Sequence, residues 1–278
     1  MVYILNFNWK TYIFKTIYLL GDKSRLYSFN IFKKIFNIYL DGYNNLSYNI
    51  KKNGENQVLK KLSEFDIETV FDVGSNIGEW SLNAANIFQN ANIYSFELAK
   101  PTFKKLKEKT KESRQIQCYN IGLSDKEAEI EYNFYKNNSG ITTMIMDYNI
   151  HDENDIEKMI GITKTGDGFC NKKNIQHIDF LKIDVEGAEN KVLEGFKKQI
   201  NKNNIDIIQF EYGLINIYTG FLLKDFYDFL NSRGYLVGKI YPEGVKFKEY
   251  APQDEDFRGP NYIAVLENKR KYIDKLNI

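Results

Sequence analysis

Two carboxylates that end apolar runs, with a glycine-punctuated turn between them, form the part of this sequence best suited to chemistry. The run Val70-Phe71-Asp72-Val73 leads into Gly74-Ser75-Asn76-Ile77-Gly78-Glu79. Gly74 and Gly78 let backbone approach a ligand where a Cβ would intrude. Glu97 closes the next run, Asn92-Ile93-Tyr94-Ser95-Phe96, and stands just before Leu98. That is about one βαβ unit downstream, the place of a carboxylate that accepts ribose hydroxyls. The glycine spacing is not G-x-G-x-x-G, so the turn lacks the pyrophosphate fingerprint and suits a nucleoside without phosphates.

A second constellation lies further on. Lys182, Asp184 and Glu186 alternate with Leu181, Ile183 and Val185, so they share a face while the strand persists. A lysine and an acid in a central strand are unfavourable unless paired or used. Glu211 ends another apolar run, Ile207-Ile208-Gln209-Phe210, at the same rim. Three carboxylates there suit hydrogen bonding to hydroxyl groups, with Asp184 or Glu186 as proton acceptor. Alternatively, two of them with water hold Mg²⁺. A structural arrangement competes, with Glu211 paired to Lys182 and Glu186 bonded to backbone at the start of the following helix.

The elements that must position these groups alternate from Glu68 onward, as in a doubly wound α/β fold with helices on both faces of a mostly parallel sheet. Seven strands are expected, at 69–73, 92–97, 116–121, 178–184, 205–211, 235–240 and 261–266. Helices are expected over Lys100–Glu112, Gly187–Gln199 and Phe221–Ser232. Residues 137–174 fit neither pattern and read as an irregular lid or substrate loop. Residues 1–66 differ in character, with aromatic and apolar positions at near-helical spacing among lysines. They predict a helical extension that caps the core, forms a homodimer surface, covers the acceptor site or touches an anionic membrane, and leave 67–278 as the catalytic domain.

The stretch Leu181-Lys182-Ile183-Asp184-Val185-Glu186-Gly187-Ala188-Glu189, followed by Val192-Leu193-Glu194-Gly195, resembles the S-adenosylmethionine-dependent methyltransferases of the FkbM type. The Asp72–Gly78 turn resembles class I methyltransferases generally, and the likeness extends over about 67–266. It implies a seven-stranded class I methyltransferase sheet. It implies S-adenosylmethionine as cofactor, bound through Asp72, Gly74, Ser75, Asn76, Gly78, Glu97 and Leu98. Backbone at Gly74, Ser75 and Asn76 would meet the methionine carboxylate. By the same resemblance Gly122, Leu123 and Ser124 lie on the adenine side, with Leu123 over the ring. Asn261 borders the acceptor pocket, where Asn216 and Tyr218 are further candidate contacts. The implied reaction is methylation of a hydroxyl on a sugar, glycan or related metabolite, for which Asp184, Glu186 and Glu211, the acids at the strand ends, are the candidate catalytic carboxylates. An NAD-dependent oxidoreductase, disfavoured by the missing G-x-G-x-x-G, and a noncatalytic binding module are the alternatives.

The formal charge of +1 argues against a nucleic-acid partner. Cys118 and Cys170 make no disulfide framework or metal-ligand spacing, which suits a cytoplasmic protein. No run approaches the roughly 18 apolar residues of a transmembrane helix, and residues 1–20 lack a signal-peptide cleavage pattern. Of the two histidines, His151 falls in the irregular stretch as a possible base, and His177 precedes a strand at the rim opposite the cofactor.

Overall fold

A computed structural model describes residues 9–23, 30–135 and 156–278. The chain divides into a unit ending at Asn44 and a unit spanning Asn45–Ile278. The first holds α1 (Trp9–Lys23) and α2 (Asn30–Tyr43). The second opens with α3 (Glu55–Leu62), β1 (Thr69–Val73), α4 (Glu79–Ile87), β2 (Asn92–Phe96), α5 (Lys100–Thr110), β3 (Ile116–Tyr119), β4 (Gly122–Leu123) and β5 (Ala128–Tyr135). It continues with β6 (Ile156–Lys164), α6 (Gly166–Lys173), β7 (Ile178–Ile183), α7 (Glu189–Gly195), α8 (Lys197–Asn201), β8 (Ile205–Glu211), α9 (Ile215–Thr219) and α10 (Leu223–Asn231). It closes with β9 (Tyr235–Tyr241), β10 (Gly244–Phe247), β11 (Asn261–Leu266) and α11 (Arg270–Leu276).

The main sheet has eight strands in the order β10-β9-β11-β8-β7-β1-β2-β3. From β3 to β8 every pairing is parallel, whereas β11 runs antiparallel to both β8 and β9. All seven expected strands are present. The count is corrected to eight by β10, a four-residue hairpin partner of β9 that the sequence reading passed over. Near-continuous apolar runs made the parallel strands legible, because both of their faces are covered. On one face Phe71, Leu181, Ile183 and Phe210 pack with Phe169, Val192, Phe196 and Phe226. On the other, Val70, Phe180, Ile207 and Ile263 pack with Val58, Leu59, Leu62, Trp80 and Ala84.

That second face moves the expected boundary at 66/67 back to 44/45. Val58, Leu59 and Leu62 of α3 are fully buried, each worth roughly 1.5–3 kcal/mol in area removed from water. Gly54 makes the approach possible: its φ is +97°, and a Cβ there would stand 2.1 Å from the Tyr241 carbonyl oxygen at the end of β9. Asn45 adds hydrogen bonds from its side-chain amide to the carbonyls of Asn53 and Ile240.

Of the stretch 137–174 expected to be irregular, 137–155 lies outside the described residues and 156–174 needs correction. Residues 156–164 form β6, the centre of a separate three-stranded sheet in the order β4-β6-β5, and 166–173 form α6. Ile160 and Ile162 of β6 face outward while Gly161 and Thr163 face inward, which inverts the usual alternation. The expected helix over Gly187–Gln199 is two short ones, α7 and α8, that meet at Phe196. His151 lies outside the described residues.

Candidate active site

The carboxyl ends of β1 and β2 are bound together by the turn that follows β1. The N–H groups of Gly74 and Ser75 donate to the Phe96 carbonyl at 3.0 and 2.9 Å, and the N–H of Gly78 donates to the Ser75 carbonyl. The N–H of Asn76 donates to Glu97 Oε2 at 2.9 Å, and Glu97 Oε1 accepts from the Ala99 N–H. The expectation that backbone at Gly74, Ser75 and Asn76 meets a ligand carboxylate is therefore corrected, because these donors already join the turn to β2. Gly74 has φ +84°, and a Cβ there would lie 1.7 Å from the Asp184 carbonyl oxygen, so the turn also abuts the end of β7. Glu97 is 7% exposed, and burial pushes its carboxyl up to about 7 against the two N–H donors. Asn76 Oδ1 is buried without a hydrogen-bond partner, an acceptor at this rim that suits a ligand hydroxyl or ammonium. Together, Glu97 and Asn76 Oδ1 fit a cofactor that presents donors.

Beneath the rim, four polar side chains stand in register across adjacent strands. Ser95, Asp72, Lys182 and Gln209 are successive partners on β2, β1, β7 and β8. Asp72 is completely buried, accepts a hydrogen bond from Ser81, and lies 3.7 Å from the Lys182 ammonium. It organises the turn from below, where Ser75 Oγ also donates to the Asp72 carbonyl. Burial raises the Asp72 carboxyl despite Lys182 and Ser81. Lys182 donates to Asp184 Oδ2 at 2.7 Å. Burial works against its charge, yet Asp184, Asp72 and Glu55 hold its pKa above the ordinary lysine value.

Glu55, at the start of α3, was invisible to the sequence reading. Its carboxylate accepts from Asn53 at 2.6 Å, from Gln209 at 2.8 Å and from Asn261 at 3.3 Å. Asn261, the register partner of Glu211, is thereby tied to Glu55 across the sheet. Nothing local in Asn53-Gly54-Glu55 announces partners on strands more than 150 residues away.

At the carboxyl rim above this row, Asp184, Glu186 and Glu211 converge, each offering an oxygen within 4.8 Å of the others. All three are half-buried. Burial first, then Asp184 and Glu189, push Glu186 up to about 8. Burial, Asp184 and Glu186 raise Glu211 well above the usual carboxylate range. Glu186 sits at φ +52°, a conformation rare for a side chain of its kind. The loop is held from behind by Glu189, whose Oε1 accepts from the N–H groups of Val185 and Gly187. Oxygen ligands in this number could hold a divalent cation, although Lys182 already supplies a positive charge to Asp184. The alternative pairing of Glu211 with Lys182 is replaced by pairing to Asp184 and Asp72.

The remaining candidates divide. Leu123 is 4% exposed and packs in the core beside Phe71 and Phe96, so it has no free face for an adenine ring. Leu98 lies over Gly122 and Gly161, at 3.3 and 2.4 Å from where their Cβ atoms would stand. Ser124 donates its hydroxyl to Asp125 and its N–H to the Lys164 carbonyl. Asn216 accepts from the Gly213 N–H and donates to the Phe221 carbonyl, closing the loop around α9 instead of facing an acceptor. Tyr218 on α9 is exposed. His177 lies at the opposite rim, as expected, 3.5 Å from Asp179 and 3.3 Å from Asp206, while Lys269 pairs with the other oxygen of Asp206. Two acids and two bases make this a charge-balanced staple.

Residues 72–237, more than half of the chain, match the family described as the methyltransferase FkbM domain. Among curated relatives, a protein named Methyltransferase 1 from Beauveria bassiana is 22% identical over 68% of this chain and 78% of its own length. The hexuronic acid methyltransferase AglP from Haloferax volcanii is 26% identical over 58% of this chain and 64% of its own. Among solved structures, methyltransferase FkbM from Methylobacillus flagellatus is 14% identical with a TM-score of 0.47, covering 72% of this chain and 44% of that one.

Proposed function

Because the chain belongs to the FkbM family of S-adenosylmethionine-dependent methyltransferases, we propose that it methylates a hydroxyl oxygen of a sugar or glycan. The convergence of Asp184, Glu186 and Glu211 at the rim beside the Gly74 turn carries the reading. S-adenosylmethionine, when bound, supplies a methyl group on a positively charged sulfur. Glu97 and Asn76 Oδ1 provide acceptors for its hydroxyl and amino groups. An alcohol is a weak nucleophile until its proton has somewhere to go, and a carboxylate within hydrogen-bond reach provides that place. Glu186 takes this role. Asp184, fixed in orientation by Lys182, and Glu211 accept hydrogen bonds from neighbouring hydroxyls and hold the attacking oxygen in line. Three acceptors side by side favour an acceptor molecule rich in hydroxyl groups, and the name of the Haloferax volcanii relative points to a sugar as well.

Transfer of labelled methyl groups to a panel of nucleotide sugars and lipid-linked glycans tests the proposal. Glu186→Gln and Asp184→Asn should each lower turnover by about a hundredfold or more, with S-adenosylhomocysteine affinity unchanged in calorimetry. Glu97→Ala should instead weaken that affinity by roughly 1.5–3 kcal/mol, the scale of hydrogen bonds to a charged group. Wild-type turnover in both rim variants would overturn the assignment.

A further inference from the structure

In the first unit, Ile13, Phe14, Ile17, Tyr18 and Leu19 of α1 and many apolar residues of α2 are exposed. Among the described residues, no hydrophobic side chain before Val58 is buried. On α2, Ile31, Ile35, Phe36, Ile38, Tyr39 and Leu40 are all at least 40% exposed. At 3.6 residues per turn, Lys33, Lys34, Asn37 and Asp41 fall within an arc of about 100°, and the apolar residues fill an arc of about 200° opposite. The first 44 residues carry six Lys and Arg against two Asp and Glu, whereas the rest of the chain carries 32 against 35. The positive charge is thus concentrated in the unit that holds the uncovered apolar face.

We propose that α2 lies flat on an anionic membrane surface, with its apolar face in the boundary between headgroups and acyl chains. Its length, about 21 Å for 14 residues, is short of the roughly 30 Å hydrocarbon core, which excludes a spanning orientation. A wide apolar arc flanked by lysines is the pattern of an interfacial helix. Tyr39 and Tyr43, stacked with centroids 6.2 Å apart, are of the amphipathic aromatic type that settles at headgroup depth. A second copy of the chain is a poorer occupant. The apolar arc is wider than a two-helix seam, and the excess of four positive charges on each copy would repel the other.

Co-sedimentation of the full chain with phosphatidylcholine vesicles, with and without phosphatidylglycerol, tests it. Anionic vesicles should bind at least about tenfold more tightly than neutral ones, and added salt should erase the difference. Ile35→Glu combined with Phe36→Glu should abolish binding, with far-UV circular dichroism and S-adenosylhomocysteine affinity unchanged. Lys33→Glu combined with Lys34→Glu should remove the anionic preference and retain residual binding to both vesicles. Absence of vesicle binding would overturn the proposal, as would binding that survives the double Glu substitution. Conversion of a solution dimer to monomer by that substitution, without vesicle binding, would make the face an interface between copies.

Discussion

Replacing Lys182 by Met removes the cation paired with Asp72 and Asp184 while nearly preserving side-chain volume, so the effect is electrostatic and leaves little cavity. Asp72 is fully buried and would retain only the Ser81 hydrogen bond. Breaking a buried pair from one side costs about 3–5 kcal/mol. An upper bound comes from the acid itself, which can escape by taking a proton. Protonating a group of ordinary pKa 3.8 at pH 7 costs about 4 kcal/mol, at 1.36 kcal/mol per pH unit. Asp184 is half-buried and can hydrate, so Asp72 dominates and a loss of about 3–4 kcal/mol is expected at pH 7. The sign follows from linkage. The folded variant would hold a proton on Asp72 that the unfolded chain releases above pH 3.8, so its stability should rise on acidification. Between pH 7 and 5 the deficit against wild type should shrink, by at most about 2.7 kcal/mol, the limit reached where wild-type Asp72 stays ionised. Urea unfolding at pH 7, 6 and 5 measures this directly. In Lys182→Met/Asp72→Asn the extra slope should vanish. A loss below about 1 kcal/mol at pH 7, or parallel pH profiles for the single variant and wild type, would refute the reasoning.

Gly74→Ala should destabilise the fold by about 2–5 kcal/mol, because alanine is strained at positive φ and its Cβ meets the Asp184 carbonyl; an unchanged urea midpoint would contradict it. Hydrogen bonds that the His177 ring donates to Asp179 and Asp206 raise its pKa to about 9 from 6.5. Its contribution is therefore complete below pH 6.5 and lost as pH rises through 9, by about 1 kcal/mol after discounting a half-exposed ring for solvent screening. Wild type should lose that margin over His177→Gln between pH 6.5 and 9.5 in unfolding titrations, and parallel curves would refute it. With Lys182 neutralising Asp184, turnover should persist in EDTA; loss on chelation with recovery in Mg²⁺ would place a metal among the three rim acids.

The strands that carry the site were legible because burial on both faces writes long apolar runs, and an acid that ends such a run stands out. Asp72, Glu97, Asp184 and Glu211 were all singled out this way, and each stands at or beside the carboxyl end of its strand. What the sequence concealed was register. Lys182 visibly needed a partner, but only the alignment of β7 with β1 and β8 sets it opposite Asp72 and Gln209, with Glu211 further along. Glu55 was hidden for the same reason, since its three hydrogen bonds depend on α3 crossing the face of the sheet. The second sheet escaped because Ile160 and Ile162 point to solvent, so its apolar alternation names the wrong face.

The position of β11 governs the order in which the molecule can be completed during synthesis. Among the described strands it comes last in chain order, yet it lies between β8 and β9 and supplies the pairing that joins them. Until residues 261–266 leave the ribosome, the β9–β10 hairpin has no neighbour in the sheet, and β8 ends in an open edge. Such an edge is a template for pairing with another chain, so the chain is exposed to aggregation until β11 docks. The closing contacts are long in sequence, from Lys61 to the Leu276 carbonyl and from Lys275 to Glu64, so α3 waits on α11 as well. Docking of β11 is therefore a long-range closure, of the kind that slows folding.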